Sequence, residues 1–380
     1  MGFTLQPAKG DTFVNREALI DQMITELTDI NSTVGYALYG KRRIGKTSIL
    51  KEVQRRIDIS EEAVVVYFSI WNLVEFTAEE FCKRLTMEII DAYRPYTGLK
   101  YRASELIQTP ISLVRKFLEG SEFKFIYNEF EFLITRQRDV DIDVALERAF
   151  SISEKLAEAT GKKCILLIDE FPSIMELKHN NSMIGEGVLR KIRTIFEDWE
   201  RTSLCVSGSI RSTMNLAILS SSSPFYRQLI LREIKPLKME HVRELLLKNL
   251  KISEKGIEEV CNFSAGIPFY IQYIGKILER SGRITLESIK EIENDFLNEE
   301  GDLLFREEFN ALSPKDKMIL INIAQGLHKP KELEAELRDR VSNVSKYLTS
   351  LSDKGYVSKK EKGYYVLEDP VFEKWILLHY

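Results

Sequence analysis

Over the first 235 residues, short apolar runs alternate with longer stretches whose apolar positions recur at helical spacing, the pattern of a parallel sheet flanked by helices. The runs at 34–39 (VGYALY), 64–70 (VVVYFSI), 164–170 (CILLIDE) and 204–209 (LCVSGS) read as buried strands. Between the first two, Ile49, Leu50, Val53 and Ile57 share one face of a helix. Helical spacing returns at 77–94, 103–118 and 141–160, and 122–133 reads as a hairpin whose alternating Phe123, Phe125, Phe130 and Phe132 suit packing. The stretch at about 77–140 is therefore expected to be an insertion of helices and a hairpin in an α/β core spanning 1–235.

From 236 to 300 the pattern is helical, broken at Gly266-Ile267-Pro268, where a glycine precedes a first-turn proline. A helical lid fits this segment. Residues 301–380 then predict helices at 314–325, 330–338 and 341–353, the last with Val341, Val344, Leu348 and Leu351 inward, followed by two strands within 356–367 joined by a charged tip. Three helices and a hairpin make a winged helix. Ser342, Asn343, Ser345, Lys346 and Thr349 fall on the free face of its third helix, with Lys359, Lys360 and Lys362 on the wing, residue types that contact phosphates and base edges in duplex DNA. The same module can instead dock a protein.

Charge changes the picture in one place. The net charge is −4, yet residues 313–366 carry 11 Lys plus Arg against 7 Asp plus Glu, so a basic module sits on an acidic body. The four cysteines are scattered, with no C-x-x-C pair and only 4 His, which predicts buried small side chains and neither a zinc site nor a disulfide framework. No apolar stretch approaches a membrane span and no signal peptide is apparent, so a cytoplasmic protein without membrane contact is expected.

Chemistry enters at residues 40–47. Gly-Lys-Arg-Arg-Ile-Gly-Lys-Thr matches the phosphate-loop pattern G-x-x-x-x-G-K-[ST] and lies between a strand and a helix, as the mechanism requires. Gly40 and Gly45 permit close approach of the backbone to a polyphosphate, Lys46 is placed to reach the β- and γ-phosphates, and Thr47 to ligate Mg²⁺. Arg43 and Ser48 complete the candidate phosphate contacts. A second signature is the apolar strand ending in Asp169-Glu170, where Asp169 would hold the metal shell and Glu170 would orient or deprotonate the attacking water. Ser209, or failing that Ser207, is the candidate γ-phosphate sensor. No guanine-reading N/T-K-x-D motif is apparent, which favours ATP.

Together these residues resemble the archaeal ATPase family of AAA+-related, STAND-like P-loop proteins, from about Phe13 to Trp375. Phe13-Val-Asn-Arg-Glu17, the loop at 38–50 and the Walker B strand at 166–171 carry the resemblance. It implies that Phe13 and Val14 lie near adenine, that Pro268 of the lid motif contacts the nucleotide, that Ser209 is sensor 1, and that Arg227, in Ser223-Pro-Phe-Tyr-Arg227, reaches the γ-phosphate. The family's glycine before that arginine is missing here. The implied activity is slow hydrolysis of ATP to ADP and phosphate, with the nucleotide state controlling a winged helix that contacts DNA. The alternative is a nucleotide-dependent signalling scaffold whose winged helix docks protein and whose hydrolysis is incidental.

Overall fold

The computed structural model describes residues 2–99, 102, 103, 126, 141–208, 214, 217, 218, 223–337 and 341–380. The expected insertion helix at 103–118 and the hairpin at 122–133 fall almost wholly outside the described residues, as does Ser209.

A five-stranded parallel sheet organises the first part of the chain. Its strands are β1 (Tyr36–Tyr39), β2 (Val64–Ser69), β3 (Cys164–Asp169), β6 (Thr202–Gly208) and β7 (Ile230–Glu233), in the order β2-β3-β6-β1-β7. A small antiparallel ribbon, β4 (Lys178–His179) with β5 (Ser182–Met183), follows β3. Because β1 pairs with both β6 and β7, the strand that leads into the phosphate loop and the strand carrying Asp169 are not neighbours; β6 lies between them. All five strands end on one edge, so Tyr39, Ser69, Asp169, Gly208 and Glu233 gather there, the edge at which parallel sheets bind ligands.

The side-chain alternation of each strand feeds two cores. Tyr36, Leu38, Val65, Ile165, Leu167 and Cys205 face α1 (Glu17–Thr28) and α2 (Lys46–Ser60). Ala37, Val64, Val66, Leu166, Ile168 and Val206 face α3 (Ala78–Thr97), α4 (Ile142–Thr160) and α5 (Gly185–Glu197). Thr77 and Asp141 cap α3 and α4 by accepting from backbone amides of the first turn. Covered on both faces, β3 and β6 are buried along their whole length, which is why they read as unbroken apolar runs.

Beyond the sheet, α6 (Met239–Leu247), α7 (Glu254–Ser264), α8 (Pro268–Ser281), α9 (Leu286–Asn298) and α10 (Glu300–Asn310) extend the first core. Then come α11 (Pro314–Ala324), α12 (Pro330–Leu337) and α13 (Val341–Asp353), with Val344, Leu348 and Leu351 buried, and an antiparallel pair β8 (Val357–Glu361) and β9 (Tyr364–Leu367). The order of elements is the expected one. The tail, α14 (Pro370–His379), packs Phe372 and Trp375 against Phe305 and Phe309 of α10. Three of the cysteines are buried and Cys261 is half-buried. Among the described residues no helix is long and apolar enough to cross a membrane.

Candidate nucleotide site

The turn from β1 into α2 forms the loop because two of its positions accept no side chain or strain one. A Cβ on Gly40 would lie 2.5 Å from the Ile234 carbonyl oxygen, and Gly45, with φ of 93°, caps α2 in the left-handed conformation. The first-turn amides of α2 are thereby turned toward the cleft without partners inside the helix. Lys46 is only 5% exposed, and its Nζ donates to the carbonyls of Gly40 (3.1 Å) and Lys41 (2.8 Å). Burial lowers its pKa to about 8 against the opposing pull of Glu170 and Asp169.

Asp169 ends β3 and collects donors from three other elements. Thr47 Oγ1 donates to Oδ2 at 2.7 Å, Tyr67 of β2 donates to the same oxygen at 2.8 Å, and Ser207 of β6 donates to Oδ1. The Glu170 amide reaches Oδ1 at 3.1 Å, and Glu170 itself, at φ of 53°, turns the chain out of the strand into the cleft wall. Thr47, Asp169 and Glu170, read from two distant motifs, are thus brought to one place. Ser207 belongs to this cluster.

The cleft beside the loop is lined by Gly45–Ser48, Trp71, Glu170, Pro268, Phe269, Gln272 and the segment Thr4–Ala8. That segment is a strap. Gly2 and Thr4 donate backbone N–H groups to Glu279 and Gln272 of α8 (both 2.9 Å), whereas Ala8 donates to Ser48 Oγ (3.0 Å) and Gly10 to buried Glu52 of α2 (2.7 Å). The Phe3 ring is buried against Gly275 of α8, where a Cβ would come within 2.3 Å of it. Phe13 is buried in the first core with Val14 packed against it, while Thr4–Ala8 form the cleft wall. Arg16 of the same motif, in left-handed backbone, donates to the carbonyls of Ile44 (3.4 Å) and Lys235 (2.8 Å), fixing the loop to the start of the helical segment. Its burial lowers its pKa to about 10.

Arg43 lines the cleft but its guanidinium faces the C-terminal elements. It pairs with Asp369 (3.2 Å) and Glu308 (3.3 Å) and lies over the Phe305 ring. Burial opposes its charge, but Tyr270, Asp369 and Glu308 outweigh that and raise its pKa. Arg42 pairs with Glu308 (3.1 Å), and Lys41 with the Glu368 carboxylate (3.1 Å) and its carbonyl (2.6 Å). Tyr270 of α8 also donates to Asp369. Lys41, Arg42 and Arg43 therefore grip acids contributed by α10 and by the turn before α14. Arg227, at φ of 61°, is exposed and stacks on Tyr226, and is not among the residues lining the cleft. Lys346, Thr349, Lys359, Lys360 and Lys362 are exposed, with Asn343 and Ser345 half-buried on the same helix as Lys346. Ser345, Lys346 and Thr349 line an open groove that also includes Arg42 and Lys354. The side chain of Ser342 is outside the described residues.

The loop and Asp169-Glu170 were legible from sequence. Tyr67, Gln272, the strap and the acids Glu308, Glu368 and Asp369 were not. Asp369 also caps α14 by accepting from the backbone amides of Val371 and Phe372.

Residues 13–274 match the family described as an ATPase domain predominantly from Archaea. An uncharacterized curated protein of Methanocaldococcus jannaschii is 30% identical over 218 residues, 55% of this chain and 47% of its own, so the chain spans about half the length of that relative. Among solved structures, the Walker-type ATPase of Pyrococcus abyssi aligns with a TM-score of 0.72 at 21% identity, covering 99% of this chain and 100% of that one. The ORC2 protein of Aeropyrum pernix, solved in ADPNP and ADP complexes, aligns at 0.53 and 14% identity, covering 95% and 93% of the two chains. Both likenesses are of fold.

Proposed function

The chain belongs to the family of ATPase domains found predominantly in Archaea, and from that premise we propose that it hydrolyses ATP slowly, with the nucleotide state setting the position of a winged-helix module that contacts duplex DNA. The reading divides the chain into an ATPase core (1–235), a helical lid (236–300) and the winged helix with its tail (301–380). The observation that carries the coupling is the grip of Lys41, Arg42 and Arg43 on Glu308, Glu368 and Asp369. A loop that must wrap a triphosphate is tied by its own cations to the C-terminal elements.

In this reading the first-turn amides of α2 and the Lys46 ammonium bind the phosphates. The Thr47 hydroxyl already donates its proton to Asp169, which leaves its oxygen lone pairs available to a cation, so Thr47 and Asp169 fit Mg²⁺. Bound there, Mg²⁺ would screen the charge of the terminal phosphates. Glu170, beyond the carboxylate committed to the cation, takes the proton of the attacking water. Thr4–Ala8 with Phe269 and Gln272 form the wall for the nucleoside, in place of Phe13 and Val14. Ser207, tied to Asp169, supports the sensor role at β6; Arg227, exposed and outside the cleft, can serve only after moving or from a second copy.

Lys46 supplies a pH test. With its pKa held to about 8 by burial, the loop must take up a proton to present a cation at higher pH. ATP affinity is accordingly expected to fall about fivefold between about pH 8 and pH 9. Calorimetry in buffers of different ionisation enthalpy should register proton uptake; affinity flat across that range would exclude a proton-linked Lys46.

DNA contact has its own test. If Lys346, Lys359 and Lys360 touch phosphates, log K for a duplex should fall linearly with log salt by roughly 0.9 per phosphate neutralised, and Lys346→Ala should reduce the slope by about one. A slope near zero, or no binding, assigns the module to a protein partner and the chain to the scaffold reading.

A further inference from the structure

Asp169 is 3% exposed and accepts four hydrogen bonds, yet only one of the donors, Thr47, lies on the phosphate loop. The Tyr67 contact is the unexpected one. Tyr67 lies opposite Leu167 in the parallel pairing of β2 with β3, so Asp169 is its diagonal neighbour two residues on, on the same face and within reach of an aromatic side chain. Its ring carries Lys51 of α2 above it, with Nζ 5.1 Å from the centroid, one helical turn beyond Thr47. The side chain is thus pinned at its face by the phosphate-loop helix and at its hydroxyl by the carboxylate, bridging the two motifs that the site depends on.

An ordinary buried tyrosine needs one acceptor, and backbone carbonyls serve. Here the acceptor is Oδ2, the very oxygen that receives the Thr47 proton. With Tyr67 on Oδ2 and Ser207 and the Glu170 amide on Oδ1, the carboxylate cannot rotate without breaking several bonds. Its orientation in turn dictates which way the Thr47 hydroxyl points.

We propose that Tyr67 is a positioning residue for the cation: by fixing Asp169 it holds the Thr47 oxygen ready for Mg²⁺ and sets how much the metal strengthens nucleotide binding. This rests on the Mg²⁺-nucleotide reading of the cleft. Tyr67→Phe keeps the ring under Lys51 and removes the hydroxyl alone. Outer-sphere partners of this kind are worth about 10- to 100-fold in metal affinity, so the ratio of ADP affinity with Mg²⁺ to that in EDTA should fall about tenfold in Tyr67→Phe, with the EDTA value itself unchanged. Titration calorimetry with ADP gives both numbers, and paramagnetic resonance of Mn²⁺ titrated into protein with ADP gives the metal's affinity without turnover. Ser207→Ala, which removes one of the two donors to the other oxygen, should shift the ratio in the same direction. A mere packing role for Tyr67 would lower the melting temperature and leave the ratio intact; an unchanged ratio in Tyr67→Phe overturns the proposal. If wild-type protein binds ADP equally with Mg²⁺ and in EDTA, it is the metal reading of the cleft that fails.

Discussion

Glutamine at position 170 should leave ATP affinity within about twofold of wild type while lowering steady-state phosphate release by about 10²-fold or more, the usual contribution of a positioned general base. The change is nearly isosteric and removes only the side chain's negative charge. The backbone amide of Glu170 stays on Asp169, and the turn that aims the side chain is a property of the backbone at φ of 53°. Binding and turnover therefore separate at this residue, as they should not at Lys46. Lys46→Ala removes the buried cation of the loop, and nucleotide binding itself is expected to be lost. Phosphate release from both variants, measured with and without duplex DNA, checks the assignment; a Glu170→Gln protein turning over at the wild-type rate would show that the proton goes elsewhere. A rate that rises with DNA only when Glu170 is present would tie the chemistry to the C-terminal module.

The second large effect is expected at the grip between the loop and the C-terminal acids. Asp369→Asn with Glu308→Gln removes the charges facing Arg42 and Arg43 while asparagine retains the cap of α14, so the fold should survive. Released from these pairs, the arginines are free for phosphate. ATP affinity should then rise about fivefold, close to 1 kcal/mol, the size of a partly exposed ion pair. Linkage makes the effect reciprocal: ATP must loosen the C-terminal elements by the factor with which their loosening favours ATP. Small-angle scattering should report a larger radius of gyration for the double variant without nucleotide, and for wild type on adding a non-hydrolysable ATP analogue. Unchanged affinity and dimensions in the variant would reduce the grip to a static contact.

The parts of this molecule that a reader of the sequence can find are those in which physics acts over a few residues. The loop is contiguous, β3 and β6 are apolar throughout because helices cover both faces, and α2 carries its apolar stripe at helical spacing. What escaped are elements whose pattern is diluted by position. Strand β7 is four residues at the sheet edge with alternating exposure, so its Ile230-Leu-Arg-Glu reads as nothing in particular. Helix α5 is the exception, since Val188, Leu189, Ile192, Ile195 and Phe196 recur at helical spacing; only its start, at Gly185 without a side-chain cap, lacks a local signal. Boundaries moved for local reasons as well: the strand expected to run through Glu170 stops at Asp169, because Glu170 takes up left-handed backbone. The site divides in the same way. Arg43 and Asp369 are 326 residues apart, and Tyr67 and Asp169 102 apart, so no window of sequence contains either pair. The strap escaped for another reason, since it works through backbone N–H groups that any residue would supply.

The contact between Phe3 and Gly275 bears on how such a chain can change over generations. Glycine within a helix costs about 1 kcal/mol relative to alanine, so drift should favour a methyl group at 275, yet the ring already fills that space. The first step toward a steadier helix expels the aromatic ring, and with it the wall of the cleft. Positions 3 and 275 are therefore sterically interdependent, so a side chain at 275 is expected to be tolerated only with a smaller residue at position 3.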